Sequence, residues 1–321
     1  MARLFAAIDL GSLTVRLAVA ELTKPGRFRV LGHYREVTGL GEGLAVRDTL
    51  APEAMARTLK ALENFVHLMR AEGVEASRVV ATQAVRQARN REVFLQQVRE
   101  LGLPVQILSP EEEARLSLTG VLSALAPEFL AAPELAVFDV GGGSSEWALI
   151  RQGREPYFAS QPLGVLTLGQ TRSLGDPPRP EAVAALNQDI KERLEGFYHQ
   201  NLRPRLTGAP RLVGTAGAVT TLAALALKMS RYDASRVNNL ILTRTQVADL
   251  AALLCRLPEG ERARLPGMEP AKAGVMVAGA LIVLTILEIF GQDSLITIDA
   301  GLLEGVLGEM AAELSYTWRH K

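Results

Sequence analysis

This sequence of 321 residues contains only one cysteine and carries no net charge. Its single cysteine, Cys255, excludes an internal disulfide, and we expect a buried small side chain within a helix at 245–257. Basic and acidic residues number 35 each, so no basic excess predicts binding to nucleic acid or to an anionic membrane. The four histidines lie far apart in the sequence, which argues against a histidine metal site.

Apolar runs long enough to cross a bilayer are also missing. The most hydrophobic stretch, 273–287, is shorter than a membrane-spanning helix and contains glycine and threonine, so we interpret it as a buried core helix. The N-terminus lacks a signal-peptide layout, and we therefore expect a soluble, cytoplasmic protein. Hydrophobic residues make up 48% of a chain longer than one ordinary core requires, which predicts two domains.

The most informative stretch is glycine-rich and lies at 137–146. An apolar run ends in Asp139, a loop of small residues follows, and Glu146 leads into a second apolar run. This pattern predicts strand, tight loop, strand. The loop offers bare backbone amides and hydroxyls that suit phosphate oxygens, from Gly141, Gly142, Gly143, Ser144 and Ser145. Glycine triplets also occur in plain hairpins, so one copy leaves both interpretations open.

A second copy of the pattern occurs near the N-terminus. An apolar run ends in Asp9, a short loop contains Gly11 and Ser12, and strand character resumes after Thr14. Two such hairpins in corresponding positions predict an internal duplication whose loops grip a phosphate chain across a cleft.

Two further segments carry candidate residues. Ser109 and Glu112 form a predicted capping box at a helix start, which explains Glu112 but not Glu113, whose role stays open between structure and chemistry. A strand predicted at 211–213 enters a helix through Gly214 and Thr215, which is either an anion contact at a helix N-terminus or an ordinary turn. Between these segments, predicted strands alternate with helices, and Asn90 is a predicted helix N-cap.

Seven short motifs follow one another along the chain, and their order is informative. They are Asp9-Leu10-Gly11-Ser12, Gly41-Glu42-Gly43, Arg86-Gln87-Ala88, Glu112-Glu113-Ala114-Arg115-Leu116, the 139–146 loop, Gly214-Thr215-Ala216-Gly217 and Glu304-Gly305. Over essentially the whole chain this order resembles the exopolyphosphatase / guanosine pentaphosphate phosphatase (Ppx/GppA) family, within the actin/hexokinase/Hsp70-like superfamily.

The resemblance implies an α/β fold of two actin-like (ribonuclease H-like) domains, with the duplicated strand-loop-strand phosphate site in the cleft between them. Domain I covers 1–125 plus the C-terminal helix at about 302–321, and domain II covers 126–301. The HD-type domain that longer members add is not expected in this chain, which is similar to the short, two-domain form.

The resemblance also implies residue roles. Glu113 is expected to orient the attacking water, with Arg86 as a cation near the transferred group. Asp139 and Glu146, faced by Asp9, are expected to hold Mg²⁺ or another divalent cation. The expected phosphate cradle consists of Gly11, Ser12, Thr14, Gly141, Gly142, Gly143, Ser144, Ser145, Gly214 and Thr215.

The implied function is a phosphoanhydride hydrolase. It would release terminal phosphate from inorganic polyphosphate, or from the 5′ end of pppGpp in the stringent response, and form a homodimer. Two alternatives stay open: a regulatory sensor that binds guanosine penta- or tetraphosphate or another nucleotide without turnover, and a kinase of the same superfamily. The positions at which this chain departs from the family pattern, several of them losing an expected arginine, are Leu13, Gly39, Thr167, Gly274 and Leu303.

Overall fold

The computed structural model describes residues 3–171 and 174–318, and it divides into two compact units. Unit 1 runs to Ser123 and takes up the chain again from Gly301, whereas unit 2 covers Ala124–Ala300. Each unit is built around its own mixed β-sheet, with five strands in unit 1 and six in unit 2. The α/β class expected from the sequence is confirmed.

Unit 1 carries its long strands first and its helices afterwards. Its strands are β1 (Arg3–Leu10), β2 (Thr14–Lys24), β3 (Arg27–Val37), β4 (Ala76–Ala81) and β5 (Val105–Ile107). Its helices are α1 (Leu44–Arg47), α2 (Pro52–Glu72), α3 (Gln83–Gln87), α4 (Arg91–Glu100), α5 (Pro110–Ala124) and, at the far end of the chain, α14 (Leu302–Trp318). The boundaries of helix α2 follow from its local sequence, since proline occupies its first turn and Gly73, in the left-handed conformation, ends it.

The unit 1 sheet has the order β3-β2-β1-β4-β5, and apolar cores cover both of its faces. Residues of α2 and α4, such as Leu62 and Phe94, pack on one face. Residues of α14, such as Val306 and Leu307, pack on the other. Helices α5 and α14 approach closely, because a methyl group on Gly120 or Gly305 would collide with the backbone of the other segment. The C-terminal helix thus completes the core of the N-terminal unit.

Unit 2 repeats the three-strand opening and then inserts more helices. Its strands are β6 (Glu134–Val140), β7 (Ser145–Arg151), β8 (Tyr157–Gln161), β9 (Arg211–Thr215), β10 (Leu240–Thr243) and β11 (Ser294–Thr297). Its helices are α6 (Pro127–Leu130), α7 (Val165–Thr171), α8 (Pro180–Phe197), α9 (Ala216–Ala226), α10 (Ala234–Val237), α11 (Arg244–Arg256), α12 (Glu259–Arg262) and α13 (Met276–Ile289). A π-helical turn at Tyr198–Leu202 continues α8.

The unit 2 sheet has the order β10-β11-β9-β6-β7-β8, so β6 lies between an antiparallel β7 and a parallel β9. Strand β1 of unit 1 has the same neighbours, an antiparallel β2 and a parallel β4. The duplication predicted from the two loops is therefore visible in the strand pairing. Helix α13 is buried almost throughout, as expected for the most hydrophobic stretch.

Some local expectations need correction. Asn90 lies at the N-cap position of α4, but its side chain caps nothing there; its amide pairs instead with both backbone groups of Leu50. Cys255 lies in α11 as predicted but is only half-buried, and burial raises the pKa of its thiol. Among the described residues, no helix is both long and apolar enough to span a bilayer.

Candidate active site

The unit 1 loop, residues 10–14, is a tight turn that requires glycine. The Gly11 amide donates to the Thr14 carbonyl at 3.1 Å. A Cβ on Gly11 would lie 2.8 Å from that same oxygen, closer than real Cβ atoms approach. The turn joins β1 to β2 directly, so Asp9 and Thr14 are held at the two strand ends.

The chain that follows β3 supports this loop from behind. The Leu13 carbonyl accepts from the amides of Thr38 and Gly39 at 3.0 and 2.9 Å, and the Ser12 carbonyl accepts from Gly41 at 2.8 Å. Within the described residues, the amides of Ser12 and Leu13 donate to no backbone oxygen outside the helices and strands. Because the carbonyls are fixed and the amides are unused, the loop can offer donors to an anion.

Asp9 lies at the end of β1, and an arginine holds its carboxylate. Arg16 Nε and Nη2 donate to Asp9 Oδ2 at 2.9 and 2.6 Å. Asp9 is 3% exposed, and its Oδ1 is buried without a hydrogen-bond donor. The arginine compensates the negative charge that sequence analysis assigned to a metal, while Oδ1 keeps lone pairs that a hard cation could use.

Glu113 and Arg86 are brought together on the same unit. Glu113 is 9% exposed in the first turn of α5, and Arg86 Nη1 lies 3.1 Å from its Oε2. The same Nη1 donates to the Leu108 carbonyl at 2.7 Å, which fixes the guanidinium against the end of β5. Arg86 therefore holds the Glu113 carboxylate in one orientation.

The start of α5 that carries Glu113 is fixed by the predicted capping box. The Ser109 amide donates to Glu112 Oε2 at 2.8 Å, and the Glu112 amide donates to Ser109 Oγ at 3.2 Å. The hydrogen bond from the Ser109 amide, followed by that with the Ser109 side chain, lowers the pKa of Glu112. The prediction for Ser109 and Glu112 is confirmed, and this reciprocal pair is complete without Glu113.

The unit 2 loop, residues 140–145, repeats the turn of unit 1. The Gly141 amide donates to the Ser144 carbonyl at 3.0 Å. The first turn of α7 supports it, because Val165 N donates to the Gly141 carbonyl at 3.1 Å and Leu166 N to the Gly142 carbonyl at 2.8 Å. In the described part of the chain, the amides of Gly142 and Gly143 donate to no backbone oxygen beyond helix and strand pairings.

Close packing explains why the residue behind the unit 2 loop is Gly164. A Cβ at this position would collide with the Gly142 carbonyl. Thr167 lies in the region where the resemblance implies an arginine. It closes this turn, since its hydroxyl donates to the Gly164 carbonyl at 3.0 Å and accepts from the Gly164 amide at 3.1 Å. Thr167 therefore has a structural role in supporting the glycine loop.

Asp139 and Glu146 form a directly opposite pair on the antiparallel strands β6 and β7. Side chains in such a pair share one face of the sheet, with Cβ atoms about 4.5–5.5 Å apart. Glu146 is 3% exposed, and the Ser160 hydroxyl donates to its Oε1 at 3.0 Å. Two adjacent carboxylates are hard oxygen ligands of the kind that Mg²⁺ uses together with water and substrate phosphates.

The remaining predicted cradle residues have structural partners. Ser145 Oγ donates to the Leu163 carbonyl at 2.6 Å, and Thr215 Oγ1 donates to the Ala300 carbonyl at 2.9 Å. A Cβ on Gly214 would meet the Phe138 ring at 2.8 Å, which explains the glycine by packing. Among the residues that the structure describes, no group of three or more His, Cys, Asp or Glu side chains is arranged to hold a metal ion.

The other departures from the family pattern also have structural explanations. Gly39 has a φ of +62° and lies against the Glu42 carboxylate, so a larger residue would be strained there. Leu303 belongs to α14 and is buried in the core between that helix and the unit 1 sheet. Gly274 lies beside the Glu259 carboxylate, where a Cβ would be 3.2 Å from its Oε1.

Sequence reasoning missed two residues of the site. Arg16 could have been found, because it occupies the seventh position after Asp9, as Glu146 does after Asp139. Gln83 left no local signal, because its partner Ser12 is distant in sequence; the Ser12 hydroxyl donates to Gln83 Oε1 at 3.1 Å.

Comparison with known proteins agrees with this geometry. The family model described as the Ppx/GppA phosphatase family matches residues 19–314. The chain belongs to the Ppx/GppA phosphatase family. Membership makes it a phosphatase-type hydrolase by family and confirms the resemblance deduced from the ordered motifs.

Individual relatives cover nearly the whole chain. Exopolyphosphatase 2 of Mycobacterium tuberculosis is 32% identical over 95% of this chain and 98% of its own length. The crystal structure of the Aquifex aeolicus Ppx/GppA family member is 32% identical and covers 98% of this chain and 99% of its own, with a TM-score of 0.77. An exopolyphosphatase structure from Cytophaga hutchinsonii, 23% identical, covers 97% of this chain and 98% of its own with a TM-score of 0.85. The actin-like two-domain fold is thereby confirmed.

Proposed function

We propose that this protein hydrolyses terminal phosphoanhydride bonds, releasing inorganic phosphate from polyphosphate or from the 5′ end of pppGpp. The observation that carries the proposal is the unit 2 loop. Its carbonyls are fixed by α7, and the Gly142 and Gly143 amides are left unused beside the paired carboxylates Asp139 and Glu146. Amide donors next to a diacid suit a phosphate group that arrives with a divalent cation.

In the proposed reaction, Glu113 orients a water molecule and accepts its proton. The water oxygen forms a bond to the terminal phosphorus while the bond from that phosphorus to the bridging oxygen breaks. The leaving group is the shortened chain, or ppGpp if pppGpp is the substrate. Arg86 keeps the carboxylate of Glu113 in position through its contact with Oε2 and its anchor on the Leu108 carbonyl.

Asp139 and Glu146 of unit 2 would hold Mg²⁺ or another divalent cation, and within unit 1 Asp9 Oδ1 is a candidate cation ligand. A bound cation would neutralise charge on the phosphate oxygens. The donor set fits Mg²⁺, which uses one or two carboxylates and keeps several waters, and the fit does not need a complete protein cage.

The loop of unit 1 would contribute the unused amides of Ser12 and Leu13 and the Ser12 hydroxyl. At Gly39, Thr167 and Leu303 the local structure uses the residue present, so these positions add no positive charge toward a polyanion. We therefore expect weaker retention of long polyphosphate than an arginine-rich site would give, with the chemical step preserved.

The decisive experiment compares wild type with Glu113→Gln. Phosphate release is measured with Mg²⁺ on long-chain polyphosphate, inorganic tripolyphosphate and pppGpp. We expect kcat to fall by about 10²–10⁴-fold in the variant, the usual contribution of a positioned general base. The matched control is Glu111→Gln, two residues earlier and exposed, which should leave the rate within about twofold.

Unchanged release by Glu113→Gln would overturn the mechanism. Tight binding of tripolyphosphate or pppGpp without release by wild type would instead favour the regulatory sensor. The substrate with the highest kcat/KM assigns the physiological class.

The proposal places the enzyme in the cytoplasm as a homodimer. The lone cysteine supports a compartment in which disulfides are not needed, and balanced charge supports the absence of nucleic-acid and membrane partners. The dimer is an analogy with the family. Light scattering at several protein concentrations tests it.

A further inference from the structure

Gln83 is a buried amide that links the unit 1 loop to the surface. It is 6% exposed, at the start of the five-residue helix α3. Ser12 Oγ donates to Gln83 Oε1 at 3.1 Å, and Gln83 Nε2 donates to Gln87 Oε1 at 2.6 Å. Three side chains thus form one directional relay, from Ser12 through Gln83 to the exposed Gln87.

The direction of this relay limits what Ser12 can do. A serine hydroxyl has a single hydrogen and two lone pairs. In the arrangement shown, the hydrogen is used on Gln83, so Ser12 presents lone pairs, which repel an anionic phosphoryl oxygen. To donate to phosphate, the Ser12 hydroxyl must first break its hydrogen bond to Gln83.

A reversal of the relay achieves this without moving the backbone. If the Gln83 amide turns over, its Nε2 donates to Ser12 Oγ and the serine hydrogen becomes available. Gln83 Oε1 then faces Gln87, which must turn as well so that its own Nε2 becomes the donor. Gln87 is exposed, so water can satisfy its amide during the exchange.

We propose that Gln83 is a positioning residue that sets the hydrogen-bonding state of Ser12, and that binding of a phosphoryl oxygen reverses the relay from Ser12 to Gln87. The inference rests on the proposed function and names the control element of that site. It is specific to unit 1, since Gly142, the corresponding residue of the unit 2 loop, has no side chain to control.

The exposed end of the relay allows it to be biased from a distance. Gln87→Glu leaves an acceptor there, which keeps Gln83 Nε2 turned outward and preserves the hydrogen bond from the Ser12 hydroxyl to Gln83 Oε1. Gln87→Lys leaves a donor, which favours Oε1 turned outward and frees the hydrogen. The two variants should therefore shift KM in opposite directions while kcat stays within about twofold. This pattern is expected when an interaction is equally strong in the bound substrate and in the transition state.

The added charges alone would also shift KM, and the Ser12→Ala background separates the two effects. Without the hydroxyl, the general attraction or repulsion of phosphate persists but the relay has no end group. We expect the ratio of KM values, Gln87→Glu over Gln87→Lys, to be about 5- to 20-fold larger with Ser12 than with Ser12→Ala. Gln96→Glu and Gln96→Lys, at an exposed glutamine of α4, form the matched charge control.

The experiment measures KM and kcat for tripolyphosphate hydrolysis, and the dissociation constant of tripolyphosphate by calorimetry, across this set in the full chain. An equal ratio in the two backgrounds overturns the relay while leaving the proposed function intact. A ratio that depends on Ser12 in calorimetry, without phosphate release, supports the relay and rejects the hydrolase. If wild type neither binds tripolyphosphate nor releases phosphate from it, both the relay and the hydrolase are rejected.

Discussion

The two hairpin loops share one backbone design and differ in charge. In each, the amide of the second residue after the aspartate donates to the carbonyl three positions on, at 3.1 Å in unit 1 and 3.0 Å in unit 2. The seventh residue after the aspartate is its cross-strand partner in both. That partner is Arg16 in unit 1 and Glu146 in unit 2. In the first hairpin an arginine compensates the charge of the aspartate, whereas the second hairpin places two carboxylates opposite each other.

This difference bears on the proposed cation site. Adjacent carboxylates repel one another unless a proton or a cation lies near them. An aspartate with an arginine on Oδ2 is already compensated. The two hairpins therefore share one loop design, and the exchange of arginine for glutamate at the partner position is consistent with the proposed cation site on unit 2.

The largest expected effect comes from giving unit 2 the charge pair of unit 1. Glu146→Arg places a guanidinium beside Asp139, and we expect phosphate release to fall by at least about 100-fold, with stimulation by Mg²⁺ lost. Glu146→Gln should show a smaller loss and a higher Mg²⁺ requirement. Exposed Glu155→Arg is the control. Full activity of Glu146→Arg with an ordinary Mg²⁺ titration would show that the diacid does not bind the metal.

Removing the arginine of unit 1 tests the other half of the comparison. Arg16→Met leaves the buried Asp9 carboxylate without its cation. We expect a loss of about 2–3 kcal/mol in the free energy of unfolding, less than for a fully buried pair because 32% of the arginine side chain is exposed. Denaturant titration measures it. Asp9→Asn in the same chain should recover part of the loss, and no recovery would argue against charge compensation.

The opposite ends of the two central strands also differ. β1 begins with an exposed ion pair, Arg3 with Glu75, whereas β6 begins with Glu134, 8% exposed. Burial would raise the pKa of Glu134, but hydrogen bonds from the Thr207 hydroxyl and the amides of Thr207 and Gly208 outweigh it and lower the pKa below 4.5.

Because the folded-state pKa of Glu134 is depressed, its stabilisation is present above pH 4.5 and is lost as the pH falls further. We expect Glu134→Gln to cost about 1.5–3 kcal/mol at pH 7 and to flatten the acid side of the stability profile. Glu75→Gln should cost about 1 kcal/mol or less. Urea titrations from pH 3 to pH 7, about the range of a carboxyl group, compare them; equal slopes in wild type and Glu134→Gln would contradict the assignment.

The smallest effect concerns the capping boxes, which are charged in unit 1 and neutral in unit 2. Ser109 pairs with Glu112, and Thr243 pairs with Gln246. Ser109→Ala and Thr243→Ala should each cost about 1 kcal/mol at neutral pH. Since the pKa of Glu112 is lowered, the cost of Ser109→Ala should shrink below pH 4.5 while that of Thr243→Ala stays constant. Thermal unfolding at two pH values distinguishes the two boxes.

Features encoded within a few residues were predictable from the sequence. The Ser109 capping box, the strand-loop-strand hairpins and the proline start of α2 depend on neighbours along the chain, and all are present. Features set by distant partners were not. The Asn90 amide is taken by Leu50, forty positions away, which outweighs the N-cap preference of asparagine. Arg16, which contacts the Asp9 carboxylate, was missed because the first loop was compared with its repeat without the partner strand.

The site shows the same division. Glu113 was separable from its neighbours because the capping box already explained Glu112, but its contact with Arg86 joins residues 27 positions apart. Gln83 contacts Ser12 across 71 positions and left no trace in any local pattern. Contacts of this kind depend on tertiary packing, which local patterns in a single sequence do not reveal.

The return of α14 to unit 1 has a consequence for biosynthesis. A ribosome makes chains from the N-terminus, so β1 and β2 emerge long before Val306 and Leu307, which cover one face of their sheet. Unit 2 lies entirely upstream of Gly301 and can finish its core first. The unit that is synthesised first therefore completes its core last, only after α14 has been made.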